Sequence, residues 1–165
     1  MKIYSSAFKD NGTVPIRHTG FGEDISPGIT VCDAPENTIS FALLLDDMDV
    51  PFCKSFNHWI VWNIPKTNTI PEGLPGGEKI SEPIPACQGR AWGKNRYRGP
   101  RQPFFVRGEH RYVFTLYALD CRLDIPCSSD KNILLKEMSG HILATASVTG
   151  RFKRGAKNRR IAHTV

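Results

Sequence analysis

Three long runs of largely apolar residues place the strongest limit on how this chain can fold. They are TISFALLL at 38–45, HWIVWNI at 58–64 and RYVFTLYAL at 111–119. Branched and aromatic side chains dominate these runs, which favours strands over helices at such lengths. Pro65 ends the second run, because proline cannot continue a strand ladder. The pattern predicts three buried strands at the centre of a sheet.

A Gly- and Pro-rich stretch from 71 to 108 separates the second and third strands. It is too long for a hairpin, and its composition predicts an ordered surface loop or a series of turns. Beyond Pro126 the sequence predicts a short helix that ends near Gly140, followed by a last strand at 144–152. The helix N-cap is expected at Ser128, Ser129 or Asp130, and its apolar face at Ile133, Leu134, Met138 and Ile142.

The chain has 165 residues, of which 40% are hydrophobic, 14 are glycine and 12 are proline. This is the size of one domain, and so many turn-forming residues favour strands joined by loops over a helical bundle. We therefore expect one β-rich domain at 1–152, followed by a basic tail at 153–165.

The net charge of +6 is concentrated near the end of the chain. Six of the 22 basic residues lie between Arg151 and Val165 with no acidic residue among them, which leaves 16 basic and 16 acidic residues elsewhere. Such a tail is either a solvated terminus or a contact for a phosphate backbone or an anionic lipid surface. It lacks the aromatic interleaving of surfaces that bind single-stranded nucleic acid.

The first residues and the cysteines predict a cytoplasmic protein. Polar residues follow Tyr4 directly, without the apolar stretch of a signal peptide. The sequence never reaches about 18 consecutive apolar residues, so we expect no integral membrane association. The five cysteines include no CxxC pair and are expected to be reduced, with Cys121 and Cys127 the closest two in sequence.

Acidic and histidine residues stand at the ends of the predicted strands. Asp47 follows the first strand, His58 opens the second, and His110 opens the third. Residues at strand ends can converge at one rim of a sheet, where loops leave room for a ligand. The alternative is that the aspartate caps backbone N–H groups in a turn and that local hydrogen bonds satisfy both histidines.

Six sequence blocks extend these observations along nearly the whole chain. In order they are FGEDISPGITV, DDMDVP, NHWIVWNIP, RGPRQP, HRYVFTLYALD and GHILATASVTGRF. The series resembles the phosphatidylethanolamine-binding protein family, especially its bacterial branch related to Raf kinase inhibitor proteins. The resemblance implies a mostly β fold, in which a central antiparallel sheet packs on a second, smaller sheet with one or two short helices. It also implies a small pocket at one end that accepts phosphate or similar anions.

The resemblance assigns residues to that pocket. The family's DPDxP signature falls on Asp47, Asp49 and Pro51, and its GPxPP and HRY blocks begin at Gly99 and His110. The implied ligand-binding residues are Asp47, His58, Gly99, Pro100, His110 and Tyr112. Tyr112 is expected beside His110, because alternate residues of a strand share a face.

This chain departs from the family pattern at a few positions. Met48 stands where the signature has proline, and Val50 where it usually has alanine. Arg101 and Gln102 interrupt the proline-rich wall, and Arg101 either contacts a phosphate or points into solvent. The Val50–Pro51 bond is a candidate for a cis peptide, because the signature often needs a sharp turn there.

Together these features predict a non-enzymatic protein that binds phosphate or a phosphorylated headgroup and needs no cofactor. Asp47 would orient a histidine towards the anion, backbone N–H groups near Gly99 would add donors, and binding would weaken as the pH rises through the histidine pKa. The alternative is a metal- or histidine-dependent hydrolase in the same pocket, although HxxxH, HxD and GxSxG patterns are missing. The family resemblance also suggests an inhibitor of kinases or other enzymes, without indicating a protein partner, and exposed strand edges would allow a homodimer.

Overall fold

The computed structural model describes residues 1–155, and these form two β-sheets and little helix. A short 3-10 helix covers Ile16–His18, and the α-helix α1 covers Lys131–Met138. The strands are β1 (Lys2–Ser5), β2 (Gly12–Thr13), β3 (Ile29–Cys32), β4 (Ser40–Asp47), β5 (Phe56–Pro65), β6 (Thr69–Ile70), β7 (Lys79–Ile80), β8 (Ala86–Gln88), β9 (His110–Leu119) and β10 (Ile142–Phe152).

The larger sheet has the strand order β2-β10-β9-β4-β5-β8-β7, and the smaller has the order β1-β3-β6. Neighbouring strands are antiparallel except for β2 and β10, which pair in parallel at Gly150 and Arg151. The predicted fold class is thereby confirmed: a central, largely antiparallel sheet and a smaller second sheet, with short helices. Strand β4 lies in the middle of the larger sheet, between β9 and β5.

Strand β4 is buried along its whole length because both of its faces are covered. Phe41, Leu43 and Leu45 point into a core that also takes residues from the smaller sheet. Ala42 and Leu44 point the other way, into a second core that includes Leu134 and Met138 of α1. Each fully buried leucine side chain contributes about 2 kcal/mol through the removal of apolar surface from water. The continuous apolar run in the sequence is thus explained by a strand with two buried faces.

The three central strands and the helix were predicted correctly from the sequence, with small differences at their ends. The Asp130 carboxylate accepts a hydrogen bond from the Ile133 N–H at 3.0 Å and is the helix N-cap. Gly140 follows the helix with a φ of +86°, a conformation that glycine adopts without strain. Ile142 does not lie on the helix face as expected, because the chain has already turned into β10 at that residue.

The Val50–Pro51 bond, a candidate for a cis peptide, is trans, and the cis X-Pro bond within residues 1–155 is Glu82–Pro83. Of the predicted basic tail, only residues 153–155 are described, and the rest lies outside the described residues. All five cysteines are free thiols. Among the described helices, none is long and apolar enough to cross a lipid bilayer.

Candidate functional site

Strand pairing brings four of the predicted site residues to one end of the larger sheet. In the β4–β9 register Asp47 lies opposite Tyr112, and in the β4–β5 register it lies opposite Phe56. His110 is two residues before Tyr112 on β9, and His58 is two residues after Phe56 on β5. The side chains of Asp47, His58, His110 and Tyr112 are all buried. The expected convergence of strand ends is therefore present at this rim.

Asp47 holds the ring of His110. The Nδ1 atom of His110 lies 2.8 Å from Oδ2 and 3.1 Å from Oδ1 of Asp47. A carboxylate only accepts hydrogen bonds, so Nδ1 carries a proton and Nε2 is directed away from the aspartate. Asp47 also accepts the backbone N–H of Asp49 at 3.0 Å. It therefore caps a turn, as the alternative interpretation predicted, and orients a histidine as well.

A β-bulge in β5 turns His58 towards the same space. Leu45 of β4 pairs with Trp59, whereas the next residue, Asp46, pairs with Asn57. One step along β4 thus matches two steps along β5, and His58 is the extra residue. A bulge of this kind re-aims a side chain without ending the sheet. The His58 ring lies edge-on to Tyr112, with 5.5 Å between ring centroids.

His58 is held through its Nδ1 atom as well. Nδ1 donates to the carbonyl of Arg98 at 2.8 Å, which fixes the tautomer of the neutral ring and leaves a lone pair on Nε2. Burial lowers the pKa of His58 from its ordinary value, and the Arg98 carbonyl and the charge of Asp47 oppose this effect only in part. His58 therefore favours the neutral form, in which Nε2 is a hydrogen-bond acceptor.

Tyr112 contacts both histidines. Its ring stacks with His110 at a centroid distance of 6.4 Å, as expected for alternate residues on one strand face. Burial, reinforced by the charge of nearby Asp47, raises the pKa of Tyr112 well above its ordinary value. The hydroxyl therefore stays protonated, and the ring packs against both imidazoles.

Gly99 and Pro100, which are expected in the pocket wall, are both hydrogen-bonded to the 18–24 segment. The Gly99 N–H donates to Oδ1 of Asp24 at 2.7 Å, so a ligand donor near Gly99 would be another backbone N–H group. The Pro100 carbonyl accepts the Gly20 N–H at 3.0 Å. A Cβ atom at Gly99 would lie 2.0 Å from the carbonyl oxygen of His18. Glycine is required here because the 18–24 segment packs directly on the wall.

Trp92 contributes to the site, although sequence reasoning did not identify it. The Trp92 and His58 rings are in edge contact, with 5.1 Å between their centroids. The Arg98 guanidinium lies over the Trp92 ring, 3.9 Å from its centroid. Trp92 and Gly93 both have positive φ, at +49° and +72°, between the mutually hydrogen-bonded Ala91 and Lys94. This is a tight hairpin turn that normally prefers asparagine or glycine in the place of Trp92. The turn presents a large aromatic ring to His58 at a cost in backbone strain.

A depression of about 500 Å³ lies next to Trp92. Phe56 and Trp92 line it, together with the charged side chains of Arg90 and Lys131. Phe56 also touches the edge of His58, with 5.5 Å between ring centroids. None of the six predicted site residues lines this depression, and its Phe56 and Trp92 rings are in contact with His58.

The wall segment, residues 90–111, which includes Gly99 and Pro100, is rich in positive charge. Between 90 and 111 there are seven basic residues and a single acidic one, Glu109. Arg96 pairs with Asp24, and Arg111 makes a two-pronged contact with Asp49 at 2.9 and 2.7 Å. The Arg111 guanidinium lowers the pKa of Asp49. The chain before Arg151 is neutral in total, so the excess positive charge of this segment is balanced by acidic residues elsewhere in the chain.

Arg101 and Gln102, which interrupt the proline-rich pattern, have different surroundings. The aliphatic carbons of Arg101 pack against Gly20, which leaves the exposed guanidinium at the surface. Gln102 is buried, and its side chain bonds the Gly108 carbonyl at 3.1 Å and the Arg154 N–H at 2.7 Å. Gln102 therefore connects the wall to the end of β10, a structural role that residue type alone did not indicate.

Known proteins are similar to this chain in sequence and in fold. Residues 4–153 match the family model described as phosphatidylethanolamine-binding protein. The chain is 39% identical over 157 residues to a UPF0098 protein of Methanothermobacter thermautotrophicus, covering 94% of this chain and 100% of the relative. It is 35% identical over 161 residues to the UPF0098 protein YbhB of Escherichia coli, covering 92% and 99% respectively.

Two solved structures superpose on nearly all of the chain. A phosphatidylethanolamine-binding protein homologue from Chlamydia trachomatis, CT736, has a TM-score of 0.81 at 32% identity, covering 93% of this chain and 97% of that one. Escherichia coli YbcL, described as a member of the mammalian PEBP family, has a TM-score of 0.82 at 27% identity, covering 92% and 97%. The chain belongs to the phosphatidylethanolamine-binding protein family.

Proposed function

We propose that the space bounded by Asp47, His58, His110 and Tyr112 binds a small phosphate-type anion, and that the protein is a binding protein and not an enzyme. One observation carries the proposal: both imidazoles are anchored through Nδ1, to Asp47 and to the Arg98 carbonyl. Two rings fixed in this way direct their Nε2 atoms to a ligand with little loss of side-chain freedom.

The protonation states suit an oxyanion that still carries one proton. Neutral His58 offers a lone pair at Nε2, which accepts a hydrogen bond from a phosphate hydroxyl. His110, when protonated, donates from Nε2 to a charged oxygen, while Asp47 compensates the imidazolium. Inorganic phosphate keeps one proton at both pH 6 and pH 8, whereas a phosphate monoester loses its last proton at about pH 6. The basic wall segment raises the local concentration of either anion.

The six predicted site residues offer no good nucleophile for covalent hydrolysis. Tyr112 carries the single hydroxyl among the six predicted site residues, and its raised pKa makes it a poor nucleophile. Nor does the pocket assemble a metal site: within residues 1–155, Asp47, His58 and His110 do not bring three ligand atoms within 4.8 Å of one another. These features support binding over catalysis. The five free thiols support the cytoplasm as the proposed location.

Calorimetric titration with inorganic phosphate and with phosphorylethanolamine at pH 6 and pH 8 tests the proposal. We expect saturable binding that weakens at pH 8 and is lost in His58→Ala and His110→Ala. His141→Ala is the matched control, because His141 is a surface histidine that also bonds an aspartate through Nδ1, at 2.8 Å. Equal affinity for both compounds would assign recognition to the phosphate group alone.

Absence of binding in the folded wild-type protein would overturn the proposal and assign the function to partner binding through the surface. Turnover of p-nitrophenyl phosphate, with or without added Zn²⁺, that is lost in His58→Ala would instead support the hydrolase.

A further inference from the structure

A second cluster of chemically reactive side chains lies at the opposite end of β9 from the anion pocket. Asp120 and Cys121 directly follow β9, and His141 directly precedes β10. A carboxylate oxygen, the thiol sulfur and a ring nitrogen from these residues all lie within 4.8 Å of one another. β9 has ten residues, so about 30 Å of strand separates this cluster from His110.

The main chain fixes the relative positions of these residues. The Asp120 N–H donates to the His141 carbonyl at 3.1 Å, and the His141 N–H donates to the Met138 carbonyl at 3.0 Å. Ile142 then begins the β9–β10 ladder opposite Leu119. The backbone of the site is thus tied to α1 and to the sheet, and only side-chain rotations are needed to adjust its geometry.

The side chains already approach one another. His141 Nδ1 lies 2.8 Å from Asp120 Oδ1, and the two side chains are 47% and 42% exposed. Cys121 is partly buried and packs its sulfur-bearing side chain beside the second core. In a tetrahedral zinc site, bonds of about 2.0–2.3 Å place the ligand atoms roughly 3.3–3.7 Å apart. The observed spacing therefore lies within a small rotation of that arrangement, and its exposed side is open to an entering ion.

We propose that Asp120, Cys121 and His141 bind a divalent transition metal of the zinc type, with the fourth position open to water or another ligand. A soft thiolate with an imidazole and a carboxylate suits Zn²⁺ or Co²⁺ and disfavours Mg²⁺ and Ca²⁺, which take oxygen ligands. This site is independent of the anion pocket, because the two share no residue.

Cobalt spectroscopy provides the test. Chelator-treated, reduced protein is titrated with Co²⁺, and the near-ultraviolet thiolate-to-cobalt charge-transfer band and the visible ligand-field bands are recorded. We expect one equivalent of Co²⁺ to bind, Zn²⁺ to displace it, and Cys121→Ser to abolish the charge-transfer band. Asp120→Asn and His141→Ala should each weaken binding by at least about tenfold.

Matched variants show whether the signal belongs to this cluster. Cys53→Ser removes the exposed cysteine, and His110→Ala removes a histidine of the anion pocket. Both should leave the spectrum unchanged, and circular dichroism confirms that every variant is folded. A charge-transfer band that persists in Cys121→Ser, or that disappears in Cys53→Ser, would overturn the proposal. So would the absence of any Co²⁺ spectrum in the wild-type protein.

Discussion

The Nδ1 atom of His110 lies 2.8 Å from Oδ2 of Asp47, and both side chains are more than nine-tenths buried. His141 and Asp120 form a contact of the same length on the surface. The two pairs have the same chemistry and differ in solvent exposure, so they separate the effect of burial from that of the hydrogen bond.

Removing the histidine should lower the stability of the protein more in the buried pair than in the exposed pair. We expect His110→Ala to lower the free energy of unfolding by about 3 kcal/mol, because it leaves the Asp47 carboxylate buried without its partner. His141→Ala should cost about 0.5 kcal/mol or less, since water solvates Asp120 in its place. Urea unfolding at pH 7 in the presence of EDTA measures both values. Equal losses would show that Asp47 has another route to solvation.

Acid should destabilise the protein through His58. The pKa of His58 is lowered in the folded state, so the unfolded chain binds a proton at a higher pH than the folded chain does. This contribution to stability is complete above about pH 6.5 and is lost as the pH falls through the lowered, folded-state pKa. The slope of unfolding free energy against pH between 7.5 and 5.5 should therefore be smaller in His58→Asn than in the wild type. An unchanged slope in His58→Asn would contradict this prediction.

The role of Trp92 can be tested by comparison with Phe52, a second aromatic residue with positive φ. Trp92 has a φ of +49° and Phe52 one of +67°, and Phe52 is fully exposed. Asparagine accepts this conformation more readily, so Phe52→Asn should stabilise the fold by about 0.5–1 kcal/mol and leave phosphate affinity unchanged. Trp92→Asn should gain similarly from its backbone, but lose the contacts to His58 and Arg98 and bind phosphate less tightly. Unchanged affinity in Trp92→Asn would exclude the ring from the site.

The wall should not tolerate a methyl group at Gly99. Its Cβ would lie 2.0 Å from the His18 carbonyl oxygen and 2.9 Å from the Tyr97 hydroxyl. We expect Gly99→Ala to lower the unfolding free energy by about 2–3 kcal/mol, because both contacts are with buried, hydrogen-bonded groups. Gly108→Ala is the control, since a Cβ there meets nothing within 4 Å. Denaturant midpoints of the two variants would provide the comparison.

Much of the fold was predictable because local pattern and burial agree. The runs at 38–45, 58–64 and 111–119 form most of the three central strands, whose buried faces favour largely apolar sequences. The positions of Asp47, His58 and His110 at strand ends indicated that they could converge, but not the bulge that turns His58 towards the others. The sequence predicted less within 71–108, where Trp92, Arg98 and Gln102 are positioned by a tight turn and by long-range hydrogen bonds that leave no periodic signal.

The cluster of Asp120, Cys121 and His141 was not predicted from the sequence for a similar reason. Asp120 and Cys121 are adjacent in the chain, but His141 reaches them only through the return from α1 into β10. No ligand spacing of the usual kind marks such a site. The short spacing between Cys121 and Cys127 did not indicate the cluster either, since Cys127 lies beside Cys87 and not beside Cys121.

The bulge at His58 makes the pocket sensitive to chain length as well as to residue type. Deleting Asn57 would restore regular alternation along β5, and the imidazole would then face α1 instead of Tyr112. A one-residue deletion that removes no pocket side chain should thus abolish the site. In relatives of this protein, an alignment gap between Phe56 and Trp59 would signal a lost pocket even where both histidines are retained.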